Sequence, residues 1–270
     1  MTAPKNKLAE KSGRQATADH DPGGPPTASH SVNPTATLSG DAKQRYVSGM
    51  FARIASRYDF MNALMSFGQD ASWRRFTAKQ ARVLPGDLAL DVATGTGRIA
   101  DELARRGARA VGIDFSAEMM LYGRDRGVGR GRDVFLAGAD ALMLPFADNT
   151  FDCVTTGFAM RNVVDIEAAF REACRVVKPG GRVVCLEVGR PNSSITRALH
   201  SFYTLKIVPL LGRLLVGDAD AYTYLPNSMR RFPPPGELAQ IMEAAGLSHV
   251  RYRQLTFGAV AVHTSTKPGL

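Results

Sequence analysis

Tryptophan occurs once and cysteine three times in 270 residues. Cys153, Cys174 and Cys185 are too few for a disulfide framework, and their spacing is not that of a metal site. No metal is therefore expected, and a reducing, cytoplasm-like compartment is the default expectation. No run approaches about 18 consecutive apolar residues, so no membrane-crossing helix is expected. Acidic residues are in deficit: 34 Lys and Arg against 25 Asp and Glu leave a net charge of +9. That balance suits nucleic acid, an anionic membrane surface or an anionic substrate alike. The basic residues form no concentrated stripe with interleaved aromatics, so nucleic acid is not an expected partner. Aromatics are absent from residues 1–40, which carry five Pro, four Gly and a single Arg against three acids. Such a segment buries too little apolar area to offset its ordering entropy and reads as a disordered tail. Without an apolar h-region it does not read as a secretory signal.

From residue 41 the composition is globular. Residues 41–82 look helical and aromatic-bearing, an N-terminal helical cap within the main domain (41–270). Short apolar runs then alternate with amphipathic stretches. Strands are expected at 88–93, 109–113, 134–137, 151–157 and 182–188. Helices are expected at 98–106 (stopped by Gly107), 116–126 (Ser116 as N-cap) and 166–177 (Asp165 as N-cap). A helix at 237–245 precedes two last strands, 249–255 and 259–266. Alternation of this kind predicts an α/β fold with a mostly parallel sheet and helices on both faces. The last two strands are joined too closely for a parallel crossover, so that pair must be antiparallel. A mostly parallel seven-stranded sheet ending in an antiparallel hairpin is the pattern of class I methyltransferases. Residues 190–232 form an insertion, apolar and basic, that reads as a lid helix or as a surface for anionic lipid.

Asp91-Val92-Ala93-Thr94-Gly95-Thr96-Gly97 ends the first strand and opens the first helix. Glycines there let a ligand approach the backbone, and the helix start offers free N–H groups. Gly95 to Ala100 also fits the dinucleotide fingerprint G-x-G-x-x-A, with Asp114 ending the second strand, and a plain tight turn would use similar residues. Three features favour S-adenosyl-L-methionine over NAD. Asp91 stands ahead of the glycines, where it would repel a pyrophosphate but suit a cationic amino-acid end. Asp140-Ala141 follows the third strand, where a carboxylate can accept from an adenine amino group. The closing hairpin is antiparallel. Asp114 would hold ribose hydroxyls in either case.

Two further segments are more specific: Tyr58-Asp59-Phe60-Met61-Asn62-Ala63-Leu64-Met65-Ser66-Phe67-Gly68 with Trp73, and Phe158-Ala159-Met160-Arg161-Asn162-Val163. With Arg175-Val176-Val177-Lys178-Pro179-Gly180-Gly181-Arg182 running to Glu187, they make the span 46–263 resemble the ubiquinone/menaquinone biosynthesis C-methyltransferase family. The chain departs from the family pattern at Asp70 (a His), Thr94 (a Gly), Gly157 (a Ser, at the cofactor) and Gly189 (a Ser). The resemblance implies transfer of a methyl group from S-adenosyl-L-methionine to a ring carbon of a prenylated quinol. The stretch Tyr224 to Pro233 looks more like the menaquinone branch, with demethylmenaquinol as substrate. Arg161 and Asn162 leave the end of the fourth strand, at the carboxyl edge where α/β ligands bind, and are expected to stabilise a developing phenolate and to orient the ring oxygen. Tyr58, Asp59 and Asn62 would close over the site, with Asp59, Glu187 and His200 as candidate bases. The cofactor set is Asp91, Gly95, Thr96, Gly97, Asp114, Asp140, Ala141 and Gly157. A methyltransferase for another small or lipid acceptor, and a cofactor-binding subunit without activity, remain as alternatives. Nothing in the sequence sets an oligomeric state.

Overall fold

The computed structural model describes residues 40–191, 193–208, 210 and 219–269. The expected disordered tail lies outside the described residues except for Gly40, as do 211–218 of the insertion.

Two helices open the chain, α1 (Gly40–Met65) and α2 (Asp70–Ala81). On α2 the buried residues are Arg74, Thr77, Ala78 and Ala81, a stripe at helical spacing with a guanidinium at its head. The strands β1 (Leu88–Val92), β2 (Arg109–Asp114), β3 (Val134–Gly138), β4 (Phe151–Gly157), β5 (Val177–Val188), β6 (Ser248–Leu255) and β7 (Val260–Thr266) form one sheet in the order β3-β2-β1-β4-β5-β7-β6. The pairs β3/β2, β2/β1, β1/β4 and β4/β5 are parallel, and β5/β7 and β7/β6 antiparallel, as the short last connection required. Interior strands are buried on both faces and read as near-continuous apolar runs. In β1, Ala89, Leu90, Asp91 and Val92 are all buried.

The helices α3 (Arg98–Ala104), α4 (Ala117–Asp125), α5 (Ile166–Val176), α6 (Ser194–Phe202), α7 (Ala219–Arg231) and α8 (Pro235–Ala244) follow, with short 3-10 or π turns at Met160–Asn162, Tyr203–Ile207 and Thr256–Gly258. Ser116 caps α4 by accepting from the Met119 N–H, and Asp165 caps α5 by accepting from Ala168. One apolar layer gathers Phe151, Phe170, Leu238 and Met242. The other gathers Ala89, Ile99, Leu103 and Val184. Strand β5 begins five residues earlier than the sequence pattern predicts. Its Lys-Pro-Gly-Gly stretch stays in the ladder because the Gly180 N–H donates to the Lys267 carbonyl and the Lys267 N–H to Gly181, both at 3.0 Å.

The strand order reverses between β1 and β4. In an open α/β sheet such a reversal opens a crevice beyond the carboxyl ends of the strands, where ligands bind.

Candidate active site

Two cavities meet at that edge. The first runs along the ends of β3, β2, β1 and β4 and is lined by Asp140, Asp114, Gly95 and Gly157, with Arg74 and Tyr58 among the covering residues. The second, about 500 Å³, is walled mainly by apolar side chains from α1, α2, β5 and α6 and by Phe257. Tyr58 and Phe158 line both. Phe158 adopts a left-handed backbone, φ 58°, a strained state for an aromatic residue that turns its ring into the partition between the cavities.

The glycine loop is tied from three sides. The Gly95 N–H donates to Asp114 Oδ2 at 2.7 Å, and the Ser116 N–H to Asp114 Oδ1 at 2.8 Å. Burial raises the Asp114 pKa above the ordinary carboxylate range against those two donors. Asp140 lines the same cavity and accepts from the Leu142 N–H at 2.9 Å, with Ala141 beside it. Thr96 also lines the cavity and donates its hydroxyl to Asp59 Oδ1 at 2.9 Å.

Three of the expected site residues, Asp91, Gly97 and Asp59, line neither cavity. Asp91 does not face the cavity. It is buried behind Thr94, accepting from the Thr94 hydroxyl at 2.5 Å and from Thr155 at 2.7 Å, and desolvation pushes its pKa up to about 6. Gly97 likewise supports the loop from behind: at φ 76° a Cβ would meet Val128 Cγ1 at 2.8 Å. Asp59 is no base over the site. Its second oxygen takes Arg98 Nε and Nη2, each at 3.0 Å, so the carboxylate staples α1 to the glycine loop.

Arg161 and Asn162 part company in the short 3-10 turn Met160–Asn162, whose tight winding sends adjacent side chains in different directions. Arg161 lines the apolar cavity and Asn162 the other. Asn162 therefore faces the cavity that holds Asp114 and Asp140, and its Oδ1 accepts from the Tyr224 hydroxyl at 2.9 Å. Arg161 Nη1 donates to both oxygens of Glu187 at 3.2 and 3.3 Å, with the two side chains 6% and 0% exposed. Glu187 also accepts the Arg161 and Val188 N–H groups, which leaves it unsuited to take a substrate proton. Arg161 Nε is buried without a partner. His200, half-buried on α6, lines the apolar cavity, and burial lowers its pKa below the ordinary value.

The departures from the family pattern have local causes. Thr94 supplies the hydroxyl that satisfies buried Asp91. At Gly157 an added Cβ would sit 2.5 Å from Ile99 Cδ1, so the isoleucine fills the space a serine would need. At Gly189 a Cβ would fall 2.3 Å from the Gly258 carbonyl oxygen. Asp70 lines the apolar cavity with its carboxylate 3.7 Å from Arg74 Nε.

Sequence reasoning missed Arg74 and Phe158 as site residues. For Arg74 a signal was present: a charged residue at the head of the small-residue stripe Thr77, Ala78, Ala81 is out of place unless it serves a site. For Phe158 there was none, because its backbone conformation is not written in local sequence.

Known proteins agree with this architecture. A structure from Thermotoga maritima described as a SAM-dependent methyltransferase, possible histamine N-methyltransferase, superposes with a TM-score of 0.57 at 23% identity, covering 81% of this chain and 98% of that one. A Haemonchus contortus phosphoethanolamine N-methyltransferase 2 in complex with S-adenosyl-L-methionine gives 0.52 at 16% identity, over 69% of this chain and 50% of that one. Both show the class I methyltransferase fold. Relatives in sequence are much nearer. A demethylmenaquinone methyltransferase of Roseiflexus castenholzii is 52% identical, over 85% of this chain and 96% of its own length. A Mycobacterium marinum protein of the same name is 44% identical over 84% and 96%. A ubiquinone/menaquinone biosynthesis C-methyltransferase of Teredinibacter turnerae is 40% identical over 86% and 95%. The model of the ubiE/COQ5 methyltransferase family matches residues 39–267, the whole of the sheet and both cavities, so the chain belongs to that family and is an S-adenosyl-L-methionine-dependent methyltransferase.

Proposed function

We propose that this enzyme methylates the ring carbon of demethylmenaquinol, with the donor across the strand ends and the quinol in the apolar cavity. One observation carries the reading: a cavity bearing the carboxylates of Asp114 and Asp140 and an almost wholly apolar one share a wall at Tyr58 and Phe158, so a donor methyl and an acceptor carbon can meet there in line. The residues fit S-adenosyl-L-methionine. Asp140 is placed for the adenine amino group, and Asp114 for the ribose hydroxyls next to the Gly95 N–H. Arg74 Nε is a buried donor with no hydrogen-bond partner among the described residues. When bound, the donor would supply an electrophilic methyl on sulfur: a carbon–carbon bond would form as the sulfur–methyl bond breaks with its pair kept by sulfur, and the ring C–H proton would pass to the quinol oxygen that has given up its own, so that one proton is released overall.

Arg161 stabilises the quinol oxygen as negative charge grows on it. Its free Nε–H is the donor, and Glu187 and the Phe158 ring (5.7 Å from the guanidinium carbon) hold the fork in place. His200 takes the hydroxyl proton. A pKa lowered by burial keeps the imidazole neutral at pH 7 and able to accept. The rate in wild type should rise with pH through a value below about 6.5, and His200→Gln should remove that acidic limb. An unchanged pH profile would return the base to water.

The mouth of the apolar cavity carries Phe67, Leu199 and Phe257, all exposed, Phe257 to 88%. Ile195 and Phe202 extend the apolar surface along α6 beside exposed Lys206. None of the described helices is long and apolar enough to cross a membrane. The rim suits a peripheral contact through which the prenyl chain stays in lipid. The direct test presents demethylmenaquinol in anionic-lipid vesicles with S-adenosyl-L-methionine. Methylated quinol should accumulate. Ile195→Ser, outside the cavity lining, should slow the vesicle reaction while leaving turnover of a short-chain soluble analogue unchanged. No product from either form of the quinol would refute the substrate, and equal slowing of both would refute the membrane contact.

A further inference from the structure

Two arginines flank the ring of Phe158. Arg161 lies on the acceptor side with its guanidinium carbon 5.7 Å from the ring centroid, and Arg74 on the donor side at 5.8 Å. In both, Nε is buried and has no hydrogen-bond partner. The acceptor chemistry uses the first. The second is left over by that chemistry. The Arg74 side chain is 7% exposed, and its nearest carboxylate, Asp70, lies 3.7 Å away, within ion-pair range but beyond a hydrogen bond. A buried guanidinium whose nearest carboxylate stands beyond hydrogen-bond distance is costly, and an anionic ligand in the cavity it lines would offset that cost.

The sheet fixes which part of the donor lies there. From one edge of the cavity to the other the strand ends come in the order β3, β2, β1, β4. Asp140, beyond β3, takes the adenine end and Asp114, at the end of β2, the ribose. The amino-acid end then falls beyond β1 and β4, beside Thr94, Gly157 and Phe158. Helix α2 packs against β4 and β5 and delivers Arg74 to that end of the cavity. Arg74 also acts on Asp91, at the end of β1, by its charge.

We infer that Arg74 binds the carboxylate of the donor's methionine end, and that the Asp70–Arg74 pair thereby sets the depth at which the methyl group stands against Phe158. Asp91, buried under two threonine hydroxyls, is left to the loop rather than to the ligand. This rests on the donor orientation proposed above.

Calorimetry on the full-length protein tests both separately. S-adenosylhomocysteine carries the carboxylate, whereas 5′-methylthioadenosine has the same adenosine thioether without the amino-acid end. Arg74→Met should weaken S-adenosylhomocysteine about 10- to 100-fold, the size of a charge-assisted hydrogen bond, and leave 5′-methylthioadenosine within about twofold. Arg74→Lys should recover part of the loss. Equal losses for both ligands, or none for either, would overturn the assignment. Should 5′-methylthioadenosine fail to bind wild type, the donor orientation falls and the assignment with it. If Arg74→Met does not fold, the wild-type protein decides: decarboxylated S-adenosyl-L-methionine binding as tightly as the intact donor would leave Arg74 no role.

Discussion

Replacing Arg161 by lysine should lower kcat by about 10²- to 10³-fold, the cost of removing one preorganised donor to a developing oxyanion, with the melting temperature little changed. The choice of lysine matters. Arg161→Ala would strand Glu187, which is fully buried, and breaking a buried ion pair in this way costs about 3–5 kcal/mol. Lost activity in that variant would say nothing about chemistry. Lysine keeps a positive charge opposite Glu187 but has no Nε–H and no planar face to lay on Phe158. The interaction it loses is the one made as the quinol oxygen gains charge, so kcat should fall while the KM for S-adenosyl-L-methionine stays within a fewfold. Steady-state kinetics with thermal denaturation on the same preparations separates the two. An Arg161→Lys enzyme with wild-type kcat would remove the guanidinium from the reaction and leave it a structural partner of Glu187.

Much of this site was legible in the sequence because it is built from backbone. Strand, glycine loop and helix follow from an apolar run, from residues tolerant of a tight turn and from an amphipathic period, and the caps at Ser116 and Asp165 stand as expected. The antiparallel closure followed from connection length alone. The side chains were harder to place. Asp91 was expected at the cofactor, and Asp59 and Glu187 as candidate bases, because a carboxylate near a ligand site is conspicuous in sequence. Each is instead consumed by a partner distant in the chain: Thr155 for Asp91, Arg98 for Asp59, Arg161 for Glu187. Pairings across 26 to 64 positions are set by strand register and helix docking, which local pattern does not encode. Asn162 shows the same limit at short range. One residue separates it from the acceptor cavity, and only the winding of a single turn decides the side.

Glycine 123 offers the sharpest case of a residue whose propensity and packing disagree. It sits in α4, where alanine would ordinarily be more stable by about 1 kcal/mol. Yet a Cβ on Gly123 would stand 2.1 Å from the Thr96 carbonyl oxygen and 2.7 Å from its carbon. These are backbone atoms and cannot swing aside as a side-chain tip can. The loop they belong to is pinned by Asp114, Asp59 and Asp91 together, so either α4 lifts off the sheet or the cofactor cradle deforms. Gly123→Ala should therefore cost more than the roughly 1–3 kcal/mol of ordinary overpacking. For a domain of this size that means a fall in Tm of about 6 °C or more, accompanied by at least about a tenfold loss of S-adenosylhomocysteine affinity. Gly49, in α1, is the control: the nearest atom to its added Cβ is the end of the Arg53 side chain at 4.0 Å. Gly49→Ala should follow propensity and raise stability by up to about 1 kcal/mol. If both variants gained stability, the close approach of α4 to the glycine loop would not exist in solution. Loss of stability at Gly123 alone, together with the loss of ligand affinity, would show that the helix is a structural wall of the donor cavity.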